Sequence, residues 1–540
     1  MTAFAYLRNP ASLLAAVSLS ILFAWFVLGY PARMPPSPLS TDEKLPCVAY
    51  APVPLQPDSE SHEIPVEQIE TDLVRLTGIA ACVRTYTTGM GLERVPELAG
   101  KLGLKVLQGV ALGPDLRRNR DEIERALRIA ESQRPAIRAL VVGSGVLSRG
   151  DMRTNELAAQ IRAVRDAAKL PVTYADRAER WLDADGVADA VDFITVHLDL
   201  YTGRFPAAAG DAAHRMIETR DKITAAYPNR MVLIDGVGWP SAGRMREAAF
   251  PSPANQARVL HEVLRAAKSA NIHLTLFEGL DQPWRQEDAG TAAGHWGLID
   301  AESGAPKFQW GAAVSNHPLW FTQGMLGVLL ALVVFAAAYL SARSAGPSPI
   351  ARTDWLPIAA IAAGAGLVIG WAFADIPVQN RQIADWLHAA VLLALGLIVP
   401  PIAAAASARR IPLVGFSAAL DPAKRAAMTT LELGLALLFA IVAVVAIQIA
   451  LVFVFDPESR DFPFAALTGP VVAFLTLAMQ PQKNRRNEGM AERLAAWLLA
   501  IAAVFIAFNE TFWNWQALWL AAVLLALAWS CWQVRGAQTT

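Results

Sequence analysis

The chain is short of charge, of cysteine and of nucleic-acid signals, and each shortage narrows what it can be. Only 18% of its 540 residues are charged, 54% are hydrophobic, and the net charge is −1. A soluble chain of this length would be less apolar, so the composition points to membrane segments. The balanced charge leaves no basic stripe for a nucleic acid, and DLRRNRDEIER (115–125) reads as the solvated start of a helix. Three cysteines, Cys47, Cys82 and Cys531, are too few for a disulfide framework and lack metal spacing. Cys47 and Cys82 fall in the first two predicted strands, where a disulfide and two small buried side chains both fit; the plainer expectation is the second. His214, His273 and His295 are scattered, and no nucleotide-binding loop occurs, so no metal or cofactor is expected.

What is present is two compositions in one chain. Residues 11–30, ASLLAAVSLSILFAWFVLGY, form an uncharged run long enough to cross a bilayer, followed by the Pro-rich PARMPPSP. The run is longer than a signal-peptide core and lacks a clear cleavage site, so residues 1–40 read as an uncleaved anchor and linker. Residues 41–315 are globular sequence. Residues 316–540 return to apolar runs near 319–341, 355–374, 385–406, 430–455, 463–480, 494–509 and 513–533, about seven transmembrane helices.

Basic loops favour the cytoplasmic side. Counting the anchor and seven spans, one set of loops carries Arg343 and Arg352, then Arg409, Arg410, Lys424 and Arg425, then Lys483, Arg485, Arg486 and Arg493. The other set carries Asp375 with Arg381, then Asp456, Glu458, Arg460 and Asp461, then Glu510. The expectation is a multi-pass protein with both termini inside and the 41–315 domain outside. His388, Glu432 and Gln448 are the polar residues within spans, and interfacial placement is the plainer account of them than an ion relay.

In the 41–315 region short apolar runs alternate with amphipathic stretches. Candidate strands are 47–51, 81–86, 105–112, 138–143, 171–175, 191–197, 230–236 and 273–279, separated by helical stretches such as VEQIETDLVRLTG and SPANQARVLHEVLRAAKSA. Eight strands with helical crossovers predict an α/β fold, a parallel (β/α)₈ TIM barrel, followed by the all-α transmembrane region. The site of such a barrel gathers at the C-terminal strand ends. There the sequence places Tyr50, Arg84, Tyr86, Ser144, Tyr174, His197, Tyr201, Trp239, Glu278, Asp281, Trp284 and Trp296. One tryptophan would more simply cap the core. Three together, Trp239, Trp284 and Trp296, suggest flat faces for stacking sugars.

At these residues the chain resembles glycoside hydrolase family 17, the β-1,3-glucanase and glucanosyltransferase family, in its bacterial membrane-linked form. The likeness covers roughly 45–310 and rests on CVAYAP, VRTYTTGMGLERVPELAGKLGLKV, VTYADRAERWL, VDFITVHLDLY, GVGWPS and FEGLDQPWRQEDAGTAAGHWGLID, in the family's order. It implies β-glucan as ligand, a periplasmic barrel on the inner membrane, and a membrane glucan synthase as partner alongside the lipid bilayer. Retaining enzymes of this kind hold two carboxylates about 5–5.5 Å apart. The family's acid follows Asn after the fourth strand, where this chain reads VVGSGVL, with Ser144 and Gly145. Its nucleophile precedes the Gly-Trp-Pro turn, where this chain has Gly236. Two glycines supply neither proton nor nucleophile, so a glucan-binding barrel without standard hydrolysis is expected. Glutamate installed at both positions would then restore partial cleavage. The competing expectations are an active enzyme with a relocated carboxylate (Glu278, Asp281 or Asp235) and a protein whose work lies chiefly in its membrane region. Strand alternation would turn Asp235 away from the site.

Overall fold

The eight apolar runs do form strands, because each is short, rich in β-branched residues and bounded by turn residues. In the computed structural model, which describes residues 10–52, 63–184, 186–286, 290–345, 354–380, 382–456, 460–480 and 489–534, they are β2 (Val48–Ala49), β3 (Cys82–Arg84), β4 (Lys105–Val110), β5 (Ile137–Ser144), β6 (Val172–Arg177), β7 (Ile194–His197), β8 (Val232–Val237) and β9 (His273–Leu276). All pair in parallel, in chain order, and β9 closes on β2. The crossovers begin where the local chemistry says they should. Asp115 caps Leu116–Ser132 by accepting from the amides of Arg117 and Arg118. Ser252 caps Pro253–Ser269 by accepting from that of Asn255, with proline at the helix start.

Side-chain alternation sorts the barrel into two cores. Leu107, Val141, Ala175, Phe193 and Leu233 form a small cluster with Cys47 and Cys82, while the larger core lies between sheet and helices. Contrary to the plainer expectation, Cys47 and Cys82 are joined as a disulfide. Parallel pairing of the first two strands brings their Cα atoms to 4.3 Å, a proximity that sequence separation does not reveal.

Among the described residues, seven helices are long and apolar enough to cross a membrane: Pro10–Gly29, Trp320–Ser344, Trp355–Gln379, Ile383–Ala408, Thr430–Phe455, Met490–Asn509 and Trp515–Gln533. The run expected at 463–480 makes a shorter helix, Phe464–Ala478, of 15 residues. At 1.5 Å per residue that is about 22 Å, below the roughly 30 Å of a hydrocarbon core. Arg460 meets Asp385 at 3.4 Å near one end of Ile383–Ala408, and Gln480 donates to Ser407 Oγ at 2.7 Å near the other. Glu432 lies in the first turn of its helix, where it forms a capping box with Thr429.

The barrel rests on one end of this bundle. β1 (Ala32–Arg33), just after the first helix, pairs antiparallel with β10 (Ala313–Val314), just before Trp320–Ser344. The segment after β8 docks more deeply. The Arg244 guanidinium donates to Glu510 and to the Arg460 carbonyl (3.3 Å for the latter) and lies over the Phe462 ring. Met245 exchanges hydrogen bonds with Gln516 (2.7 Å) and Asn514 (2.8 Å). Arg409 and Arg410 sit at the opposite end, bonded to Ser341 and Asp354.

Replacing one partner of the buried Arg244–Glu510 pair strands the other charge. Arg244→Ala should destabilise the docked arrangement by about 3–5 kcal/mol. The expected readout is a lower thermal unfolding midpoint with faster proteolysis in the 239–251 segment; an unchanged midpoint would refute the docking role.

Candidate functional site

At the C-terminal mouth of the barrel four side chains form a closed polar ring. Arg84, at the end of β3, pairs through Nε with Asp235 Oδ2 of β8 at 3.0 Å, both side chains being fully buried. Its Nη2 donates to Ser144 Oγ of β5 at 3.2 Å. Ser144 Oγ lies 3.1 Å from His197 Nε2 of β7, and His197 Nδ1 lies 3.3 Å from the same Asp235 oxygen. Tyr86 covers the ring from one side, its aromatic face 4.0 Å from the Arg84 guanidinium. Ser144 and His197 are half-buried and face the opening.

Alternation explains why these residues meet. Arg84 shares the inner face of β3 with Cys82, and Asp235 shares that of β8 with Leu233, both members of the small inner core. Asp235 therefore points into the site, not away from it. The correction has a local cause. Gly236 adopts a left-handed φ of 77° and the β8–β9 register shifts between Ile234 and Val237, so alternation counted from Gly236 fails. Gly145 likewise has φ 67°, just past a register shift between β5 and β6. A Cβ at Gly236 would meet only His197 Nδ1, at 3.8 Å, and one at Gly145 only Arg149 Nη1, at 3.1 Å.

The structure thus brings Arg84, Tyr86, Ser144, Gly145, His197 and Gly236 together, and adds Asp235. Others expected at the rim are elsewhere. Trp239 is fully buried, donates from Nε1 to the Phe250 carbonyl and packs edge-on against Tyr201, so it caps the core and offers no face to a sugar. Trp296 is 8% exposed and packed against Tyr201 and Phe277. Tyr201 is buried with its hydroxyl on the Arg244 carbonyl. Tyr50 is buried and donates to Asp72 on a flanking helix, and Tyr174 packs on Trp181. Only Trp284 of the three tryptophans remains half-exposed. The misplacements share one reason: large aromatics at strand ends are drawn into the apolar layer beneath the loops.

Two carboxylates remain. Asp281 is held through Oδ1, which accepts from Lys307 Nζ at 2.7 Å and from the Gly297 amide at 2.8 Å, with His295 3.9 Å from Oδ2. Lys307 lies beyond every motif, which is why sequence reasoning missed it. Glu278 is 1% exposed; Oε1 accepts from the Ala51 amide at 3.1 Å and Oε2 lies 3.8 Å from Arg285. Burial pushes its carboxyl up to about 7, with Arg285 opposing. Burial also holds the His197 imidazole below its ordinary range, Asp235 opposing and Arg84 reinforcing.

Residues 47–297 match the family described as the BtgE/BtgC glycoside hydrolase domain. The chain is 25% identical over 226 residues to the probable beta-glucosidase btgE of Aspergillus flavus, covering 40% of this chain and 36% of that protein. It is 21% identical over 260 residues to the glucan 1,3-beta-glucosidase BGL2 of Candida albicans, covering 44% and 84%. A crystal structure of the glycoside hydrolase family 17 β-1,3-glucanosyltransferase from Rhizomucor miehei is 23% identical, with a TM-score of 0.44 over 49% of this chain and 98% of that one. The chain thus spans little more than a third of the Aspergillus relative, and the matched share of this chain is in each case under half.

Two outcomes follow from the geometry. Gly236→Ala meets only an ordinary contact, His197 Nδ1 at 3.8 Å, so its cost is the left-handed backbone, about 1–2 kcal/mol, read as a lowered unfolding midpoint; no loss would contradict the left-handed φ at Gly236. Glu278 binds a proton more tightly folded than unfolded, between its ordinary 4.5 and about 7. Stability should therefore fall as pH rises across that window and level off above it. Comparing unfolding midpoints against pH for the unmodified chain and Glu278→Gln should show that slope flattened in the variant.

Proposed function

We propose that this chain, whose residues 47–297 match the BtgE/BtgC glycoside hydrolase domain, binds β-glucan at the outer face of a membrane that its helices span, without the standard retaining hydrolysis. The observation that carries this is the pair of left-handed glycines, Gly145 and Gly236, at the mouth of the barrel, where the family resemblance calls for an acid and a nucleophile. The polar ring beside them and the half-exposed Trp284, Tyr86 and Arg285 supply hydrogen-bonding and stacking groups of the kind that hold saccharides. In a bacterial inner membrane this places the barrel in the periplasm, with a role in guiding or remodelling glucan beside a membrane synthase. Two features support that orientation. Arg409 and Arg410 lie at the end of the bundle away from the barrel, as a cytoplasmic face requires. The Cys47–Cys82 disulfide suits an oxidising compartment.

The second reading, hydrolysis by a relocated carboxylate, is favoured by Glu278, whose carboxyl lies near 7 and could donate a proton. It is opposed by the want of a partner: Asp281 is held by Lys307, and Asp235 by Arg84.

The deciding experiment is a product assay on β-1,3-glucan oligosaccharides with the full detergent-solubilised chain, with binding measured in parallel. Binding without turnover is expected; enzyme-like turnover would overturn the reading. For orientation, a cysteine introduced within 409–425 should be labelled only from the cytoplasmic side, and labelling from outside would reverse the topology.

A further inference from the structure

The ring at the barrel mouth has a chemistry that glucan binding does not use. His197 Nδ1 lies 3.3 Å from Asp235 Oδ2, an electrostatic contact without hydrogen-bond geometry, and a carboxylate oxygen there favours the tautomer that carries its proton on Nδ1. That leaves the Nε2 lone pair toward Ser144, whose hydroxyl then donates to it at 3.1 Å. The lone pairs of Ser144 Oγ in turn receive Arg84 Nη2 at 3.2 Å. In that tautomer the protons run one way, from serine to imidazole, with a buried carboxylate 3.3 Å from the far ring nitrogen. This is the arrangement of nucleophile, base and orienting acid, recognised by roles and geometry whatever the chain order.

We propose that Ser144, His197 and Asp235 form a nucleophilic set that cleaves a short acyl ester carried on a saccharide hydroxyl. The saccharide half of this assignment rests on the glucan-binding reading above; the nucleophile does not. Ser144 Oγ bonds to the acyl carbon as its proton passes to His197 Nε2 and the carbonyl π pair moves onto oxygen. The tetrahedral carbon then expels the sugar oxygen, which takes the proton from Nε2, leaving acyl-Ser144. Water repeats the steps, releasing a carboxylic acid and restoring the serine. Developing oxyanion charge falls beside the Arg84 guanidinium, already on Oγ, and near Arg149, whose Nη1 is 2.7 Å from the Ser144 carbonyl. Neither Gly145 nor Gly236 places a side chain beside the serine, which keeps bulk away from an acyl group bound there. Burial keeps His197 unprotonated to lower pH than a free imidazole, so it remains a base at neutrality; the charged groups facing it are Asp235, Arg84, Asp176 and Arg177.

The test uses the full detergent-solubilised chain and a fluorophosphonate probe. Oγ displaces fluoride from phosphorus, the proton passes to His197, and the adduct is located by peptide mass mapping. The expected result is an adduct on Ser144, absent in Ser144→Ala and formed about 10²–10⁴-fold more slowly in His197→Ala. Its rate should rise with pH through a midpoint below the ordinary imidazole value. Because the adduct is located in the unmutated chain, no variant has to fold for the result to stand. A folded chain with no adduct on Ser144, or one only elsewhere, overturns the proposal. Laminari-oligosaccharide binding is measured on the same sample. Binding without an adduct refutes the nucleophile alone, while an adduct without binding supports the nucleophile and refutes the saccharide reading.

Discussion

The Arg84–Asp235 pair is the contact on which the barrel mouth depends. Both side chains are fully buried at the inner ends of strands that lie across the barrel from one another. Removing either would strand a charge in a low-dielectric interior, a far larger penalty than the loss of a surface ion pair. The pair also distributes contacts. Arg84 reaches Ser144 and the face of Tyr86, while Asp235 reaches His197. Strands β3, β5, β7 and β8 are thereby held in one register at the opening, and the half-buried groups above take their directions from charges beneath them.

A second constraint ties this site to the helices. The segment after β8 leaves the mouth of the barrel and inserts Arg244 against Glu510, with Met245 gripped by Asn514 and Gln516. The face that gathers the polar ring is therefore the face turned toward the bundle. His388 and Gln448, expected at an interface, border a cavity of about 430 Å³ between the Gly290–Thr291 turn and the helices, together with Asp385, Arg460 and Asp461.

The glycines change meaning once their backbone is known. Taken as lost side chains, Gly145 and Gly236 invite replacement by glutamate. Their φ values of 67° and 77° make that costly, because a Cβ disfavours the left-handed region. The opening has settled around residues without side chains, and what fills the chemistry of the mouth is the ring of Arg84, Ser144, His197 and Asp235.

Much of the architecture was legible in the residues. The period-two and 3.6-residue patterns identified eight strands, their main crossovers and the apolar helices, because burial of one face dictates those repeats. Arg84, Tyr86, Ser144 and His197 could be placed at one mouth because a parallel barrel collects its strand ends. The rest needed coordinates. Whether Cys47 and Cys82 pair, whether Trp239 faces sugar or core, and that Lys307 would claim Asp281 are contacts between segments distant in sequence. The face on which Asp235 emerges turned on one left-handed glycine and one register shift, neither of which has a periodic signature. Sequence alone determined the elements and their order, since those follow from local pattern; only tertiary structure decided which polar groups meet, since that follows from where each strand ends relative to its neighbours across the barrel.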